Sequence, residues 1–154
     1  MSVHTDNTVV IDAPMDLVWR MTNEVSTWPD LFSEYSAAEI LETRGATIRF
    51  RLTMHPDENG NQWTWVSERT PDPESRTVTA HRVEKGVFEF MNIRWEYREV
   101  PGGVEMRWLQ DFAMRPEAPV DDATMRDRIN RNSVVQMARI KKQVEAAAAP
   151  LSDR

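Results

Sequence analysis

Residues 104–144 read VEMRWLQDFAMRPEAPVDDATMRDRINRNSVVQMARIKKQV, and the hydrophobic period changes inside them. Up to Met114 the large side chains share one parity. Val104, Met106, Trp108, Gln110, Phe112 and Met114 alternate with Glu105, Arg107 and Asp111 among others, the pattern of a strand covered on one face. After Pro116 and Pro119 the spacing becomes helical: Met125, Ile129, Ser133, Met137, Ile140 and Val144 form a single stripe. Asp121 and Asp122 stand where a helix N-cap and first turn are expected, Lys141 and Lys142 lie near the C-terminal end, and fraying is expected after Pro150. A strand feeding one long amphipathic helix predicts a sheet that closes around that helix.

Working back toward the N-terminus, Pro101-Gly102-Gly103 is tight hairpin chemistry and joins Val104 to a strand over Phe88–Glu99. Lys85-Gly86 turns into that strand from Thr77–Val83, and PDPES at 71–75 separates the latter from a strand over Asn61–Thr70. HPDENG at 55–60 is the next turn. Before it, Ile48, Phe50, Leu52 and Met54 alternate with Thr47, Arg49, Arg51 and Thr53. Thr8–Ile11 is a short β-branched strand. Met15, Val18, Trp19 and Thr22 then recur at helical spacing, with Asp12 expected as the N-cap and Pro14 in the first turn. A second short helix is expected over Ser26–Phe32, with Pro29 near its start. This order gives an α+β domain: a curved antiparallel sheet of about seven strands wrapped around a long C-terminal helix, with two short helices after the first strand. At 154 residues without an internal linker, 1–154 reads as a single domain with an ordered core over about 5–147.

Composition removes several function classes. Twenty-five acidic against 19 basic residues give a net charge of −6 with histidine neutral, which argues against a nucleic-acid partner. The absence of cysteine removes thiolate nucleophiles, thiolate metal sites and disulfides, and fits a cytoplasmic location. No apolar run of about 18 residues exists and MSVHTDNTVV lacks the layout of a signal peptide, so no membrane association is expected. His4, His55 and His81 share no ligand spacing, so no metal is expected. Glycines 45, 60, 86, 102 and 103 all fall at turns, leaving no phosphate loop or dinucleotide fingerprint and hence no expected cofactor. Any catalysis falls to arginine, tyrosine, serine, glutamine and water.

Strand parity places such groups among aromatics. Trp63, Trp65, Ser67 and Arg69 share one face, with Gln62, Thr64 and Glu68 opposite. Met91, Ile93, Trp95 and Tyr97 form a second row. Val78, Ala80 and Arg82 form a third, unless Thr77, Thr79 and His81 point inward instead. Arginine stays protonated and is expensive to bury alone. Arg69 therefore either meets a carboxylate or water, or is a placed polar group in a ligand pocket with apolar walls. Asn130, Asn132, Ser133 and Gln136 edge the stripe of the long helix, and Trp28, Phe32 and Tyr35 cluster near the second short helix, as core or as the roof of a cavity mouth.

The strings TDNTVVIDAPMDLVW (5–19), TWPDLFSEY (27–35), AEILE (38–42), WTWVSER (63–69), SRTVTAHRVE (75–84), FMNIRWEYR (90–98), GGVEMRWLQDF (102–112) and ARIKK (138–142) together resemble the aromatase/cyclases of bacterial type II polyketide synthesis, in the tetracenomycin and spore-pigment branch. The resemblance runs collinearly from about Thr5 to Glu145. It implies a helix-grip fold of the START and birch-pollen-allergen type, and a cofactor-independent enzyme. The implied substrate is a poly-β-keto chain on an acyl carrier protein, with the ketosynthase/chain-length-factor complex as a second partner. The implied reaction is first-ring aldol closure, commonly between the ninth and fourteenth carbons, followed by dehydration to an aromatic ring.

Pocket positions carried over by the resemblance are Trp28, Phe32, Tyr35, Trp65, Ser67, Arg69, Arg82, Phe88, Met91, Trp95, Trp108, Gln110, Asn130 and Met137. Within that set Arg69 and Tyr35 are the expected catalytic pair: Arg69 stabilises the developing oxyanion, and Tyr35 donates or relays a proton, its pKa expected to be lowered by Arg82. Gln136 departs from the shorter amide of the tetracenomycin enzyme, a change expected to bear on product length and ring register. Two other readings compete. A non-catalytic carrier of a lipid or aromatic product would use the same fold, and a protein–protein adaptor would fill the interior with side chains.

Overall fold

The computed structural model describes residues 3–152. The chain forms β1 (Val3–Ile11), α1 (Met15–Asn23), a 3₁₀ turn (Val25–Thr27), α2 (Trp28–Leu31), β2 (Tyr35–Arg44), β3 (Thr47–Met54), β4 (Thr64–Asp72), β5 (Thr77–Arg82), β6 (Phe88–Val100), β7 (Gly103–Met114) and α3 (Asp122–Ser152). Strands β2 to β7 follow one another as antiparallel hairpins, and β1 closes the order β1-β7-β6-β5-β4-β3-β2 by pairing antiparallel with β7. The short helices therefore lie in the crossing from one edge strand to the other. This is the helix-grip arrangement: α3 lies along β1 and against α1 and α2, and its buried stripe joins the sheet's inward side chains in one core.

The core follows the two periods. Met125, Ser133, Met137, Ile140 and Val144 are buried on α3, and Val104, Met106, Trp108, Phe112 and Met114 on β7. Burying an aliphatic, methionine or phenylalanine side chain contributes about 1.5–3 kcal/mol, so one face of β7 against one stripe of α3 supplies much of the stability. Register shifts in β2 at Tyr35/Ala37 and Ile40/Glu42, and in β6 at Phe88/Phe90, bend the sheet around the helix. Gly103, at φ +139°, lies so close to the end of β1 that a Cβ would fall 2.0 Å from the Ile11 carbonyl oxygen, and only glycine fits.

Several expected boundaries shift for physical reasons. Asp121 caps α3, its Oδ1 accepting the Thr124 N–H at 2.8 Å, while Asp122 Oδ1 accepts the Met114 N–H at 2.8 Å and ties the helix to the end of β7. Helix α3 continues to Ser152, so the fraying expected after Pro150 is not seen in the next two residues; Asp153 and Arg154 lie outside the described residues. Asp12 does not cap α1. Pro14 holds the N-cap position, its carbonyl accepting from Leu17 and Val18, and the Asp12 N–H donates instead to Glu145 Oε2 on α3 at 2.8 Å. The second short helix divides into the 3₁₀ turn and α2, with Pro29 in its first turn. Strand β4 begins at Thr64, whose pairing with Thr53 is the first rung. Trp63 consequently precedes the strand and is 55 % exposed, not inward as extended parity predicts.

Candidate active site

Strand β4 carries Arg69 inward, and at 2 % exposure it is among the most enclosed polar residues in the protein. Its Nη1 donates to Asn23 Oδ1, at the C-terminal end of α1, at 2.8 Å. The guanidinium carbon lies 5.1 Å from the centroid of Trp28 and 5.0 Å from that of Trp95. No described ion pair includes it, so the carboxylate and water readings of Arg69 do not hold. Burial pulls its pKa down to about 10, partly offset by Tyr97, and the group remains cationic at neutral pH. A cation against two indole faces with one neutral acceptor keeps its charge available for a negative partner.

Two residues back on the same face, Ser67 is buried, and its Cα partners are Phe50 on β3 and Arg82 on β5. Burial along β5 selects the row Val78, Ala80 and Arg82, leaving Thr79 and His81 exposed. The Arg82 guanidinium sits 4.2 Å from the Trp65 ring and 4.8 Å from Phe88, and its Nη1 donates to the Lys85 carbonyl at 3.4 Å. Burial brings its pKa to about 10 as well. Tyr35, at the first rung of β2, lies between these groups and Trp28. Its phenol is pushed well above the ordinary tyrosine value, by burial first and then by the carboxylate of Glu34; the opposing pull of Arg82 is weaker. The expected lowering by Arg82 is thus reversed in net effect, and Tyr35 holds its proton as a neutral donor.

The rings form one connected cluster. Centroid separations are 4.8 Å for Trp95–Trp108, 5.0 Å for Trp28–Phe32, 5.1 Å for Phe32–Tyr35, 5.8 Å for Trp28–Trp95 and 5.9 Å for Phe32–Trp108. These five residues are 3–9 % exposed, so the interior is closed to solvent by its own aromatics, and Trp28, Phe32 and Tyr35, read from the sequence as core or as the roof of a cavity mouth, lie in the core. Two hollows on the surface lie elsewhere. One of about 660 Å³ crosses the outer face of the sheet by Glu68, His81, Arg94 and Asp111, and one of about 470 Å³ lies by Leu17, Met21, Leu31 and Gln143. Met137 joins the main cluster from α3, whereas Phe88 and Met91 pack with Phe112, Met114 and Met125 in a second cluster near the start of α3. Arg82 touches rings of both groups.

The amides are already engaged. Gln110 Oε1 accepts from Thr5 Oγ1 at 3.3 Å, and Asn130 Oδ1 accepts from Asn7 Nδ2 at 3.0 Å. Gln136 is buried, with its Oε1 accepting the Ser33 N–H at 3.0 Å and its Nε2 donating to Ser33 Oγ at 2.8 Å; Asn132 Nδ2 donates to Glu34 Oε2 at 2.9 Å. Among buried side-chain nitrogens and oxygens, Trp108 Nε1 alone is without a hydrogen-bond partner among the described residues. Sequence reading missed Asn23, Glu34, Thr5 and Tyr97. Asn23 and Glu34 sit at element ends where no period marks a side chain's direction. Tyr97 shares the parity of Trp95, but its hydroxyl bonds Thr22 at 2.7 Å and burial raises its pKa to about 12.

Among the described residues no cluster of three or more histidine, cysteine or acidic side chains is placed to hold a metal ion, and no helix is long and apolar enough to cross a membrane. A family model described as polyketide cyclase/dehydrase and lipid transport matches residues 11–139. A Streptomyces cyaneus protein that bears the name of a polyketide cyclase is 60 % identical over 145 residues, covering 94 % of this chain and 95 % of that one. The actinorhodin polyketide synthase bifunctional cyclase/dehydratase of Streptomyces coelicolor is 29 % identical over 149 residues, 96 % of this chain and 45 % of that protein. Among solved structures, the Zhui aromatase/cyclase from Streptomyces sp. R1128 shares the fold with a TM-score of 0.82 over 94 % of each chain, at 24 % identity.

Proposed function

Because the chain belongs to the polyketide cyclase/dehydrase and lipid-transport family, we propose that its aromatic interior receives a poly-β-keto chain from an acyl carrier protein and directs first-ring aldol closure and dehydration. The observation that carries this reading is Arg69: a buried, protonated guanidinium with no carboxylate partner among the described residues, held against Trp28 and Trp95. A protein selected for stability alone gains nothing from such a group. A catalyst that must hold an oxyanion does.

In the reaction, an enolate carbon of the chain attacks one ketone carbon. The new carbon–carbon bond forms as the carbonyl π electrons move to oxygen, giving an alkoxide that Arg69 stabilises by charge and hydrogen bonding. One fixed donor of this kind is worth roughly 3–4 kcal/mol in a dry site. Tyr35, kept protonated by burial and by Glu34, supplies a proton to the oxygen. A neighbouring α-proton and the new hydroxyl then leave together as one water, forming a carbon–carbon double bond, and enolisation of the remaining ring ketones completes the aromatic ring. Substrate enters by replacing ring–ring contacts among Trp28, Phe32, Tyr35, Trp95 and Trp108 with ring–chain contacts, and these walls select the fold of the chain before reaction. Ser67 and the amide nitrogen of Gln110 orient further carbonyls, with closure between the ninth and fourteenth carbons as the expected register.

The test is Arg69→Ala in a synthase reconstituted with the ketosynthase pair and carrier protein. The expected result is a roughly 100-fold fall in correctly cyclised product, with spontaneously cyclised shunt products in its place. An unchanged product profile from a folded variant overturns the catalytic role. The family's lipid-transport branch supports a carrier as the second reading, and a carrier tolerates Arg69→Leu with unchanged ligand affinity.

A further inference from the structure

Trp108 lies on β7 opposite Trp95 of β6, with Asn7 of β1 on its other side. Its ring is stacked on Trp95 at 4.8 Å and 12°, and on Phe32 at 5.9 Å and 15°. Packing therefore fixes the orientation of the indole. At 4 % exposure, its Nε1 has no hydrogen-bond partner among the described residues. Trp28, in the same cluster, satisfies its own Nε1 on the Thr22 carbonyl at 3.2 Å. An indole N–H can only donate, so what Trp108 lacks is an acceptor. A buried donor without one is unfavourable, and phenylalanine at this position would keep a stacked ring without that penalty.

We propose that the Trp108 N–H hydrogen-bonds a carbonyl oxygen of the bound chain, so that Trp108 sets the register of cyclisation as well as forming part of the wall. The inference rests on the polyketide reading of the interior. Trp95 connects the two donors: its ring lies 5.0 Å from the Arg69 guanidinium carbon and 4.8 Å from Trp108. A poly-β-ketone repeats its carbonyl on alternate carbons, and a single donor cannot tell one repeat from the next. Two donors fixed around one ring hold two carbonyls at once and thereby choose which ketone reaches Arg69.

The experiment compares wild type, Trp108→Phe and Arg69→Ala in the reconstituted synthase. Trp108→Phe is expected to melt no lower than wild type, because an unsatisfied donor is removed and the stack retained. The ratio of the wild-type ring isomer to ring-slipped isomers is expected to fall about fivefold, the effect of one neutral hydrogen bond. A wild-type ratio in Trp108→Phe alongside a scattered one in Arg69→Ala overturns the role of Trp108 and leaves the polyketide reading standing. Wild-type ratios in both overturn the two together. A second measurement covers a variant that does not fold. In ¹⁵N-indole-labelled wild-type protein, 2-acetonaphthone is expected to move the Trp108 indole proton downfield and leave the exposed Trp63 unmoved. Bound ketone with an unmoved Trp108 signal overturns the proposal.

Discussion

Arg69 keeps its charge in a place that disfavours charge, and the balance can be measured. Burial lowers its pKa from the ordinary arginine value to about 10. A base whose folded pKa is depressed binds fewer protons folded than unfolded, so stability rises with pH between about 10 and the unfolded value. Below about pH 10 the penalty is constant and the group is charged throughout the neutral range. Replacing it by an apolar side chain of similar length should relieve the penalty. Arg69→Met is expected to raise the unfolding free energy by about 1–3 kcal/mol in urea titrations while losing directed cyclisation; a strong destabilisation would identify Arg69 as structural instead. Residues of this kind were legible in the sequence because they lie mid-strand: Trp65, Ser67 and Arg69 share a parity that the sheet preserves. The acceptor of Arg69, Asn23, and the carboxylate beside Tyr35, Glu34, were not. They end a helix and precede a bulged strand, where direction is decided by tertiary contacts.

At the scale of elements, α2 depends on α3. A helix of four residues has no stability of its own. Arg139 donates to the Leu31 and Asp30 carbonyls at 3.2 and 3.0 Å, Gln143 to the Leu31 carbonyl at 2.9 Å, and Gln136 bonds both the N–H and the hydroxyl of Ser33. These side chains hold the segment that carries Trp28, Phe32 and Tyr35 over the interior. Gln136→Ala removes the hydrogen bonds to the exposed Ser33, whose groups water can then meet, a net effect of about 1 kcal/mol. Its signature should be local: hydrogen exchange at Phe32 and Ser33 is expected to accelerate while amides of β6 and β7 keep their protection. Uniform acceleration over the sheet would show that the latch is simply part of the global fold. The same dependence explains which element ends were legible. Long strands and α3 announce themselves by period. The C-terminal end of α2 is set by partners on α3 and the last residue of α1 meets Arg69 of β4, contacts that no local period announces, and Trp63 was misplaced because its parity was carried past the first rung of β4.

For the molecule as a whole, the change of period at Pro116 was enough to give the sheet-and-helix architecture, since a one-faced sheet and a one-striped helix have few ways to cover each other. The pairing of β1 with β7 was not readable locally, because the two strands are joined only through the rest of the chain. Nor was the closed state of the interior. Parity turns the aromatic side chains inward, but their mutual stacking depends on seven strands curving together. Under the proposed function that closure gives the molecule two conditions, rings on rings and rings on substrate; its own net charge is −6. The central claim is that this interior chooses one cyclisation among many. The direct measurement is the distribution of ring isomers made by a ketosynthase pair and loaded carrier protein with the chain present and absent. One first-ring aromatic isomer dominating only when the chain is present is the expected result; the same mixture of shunt products with and without it would contradict the claim.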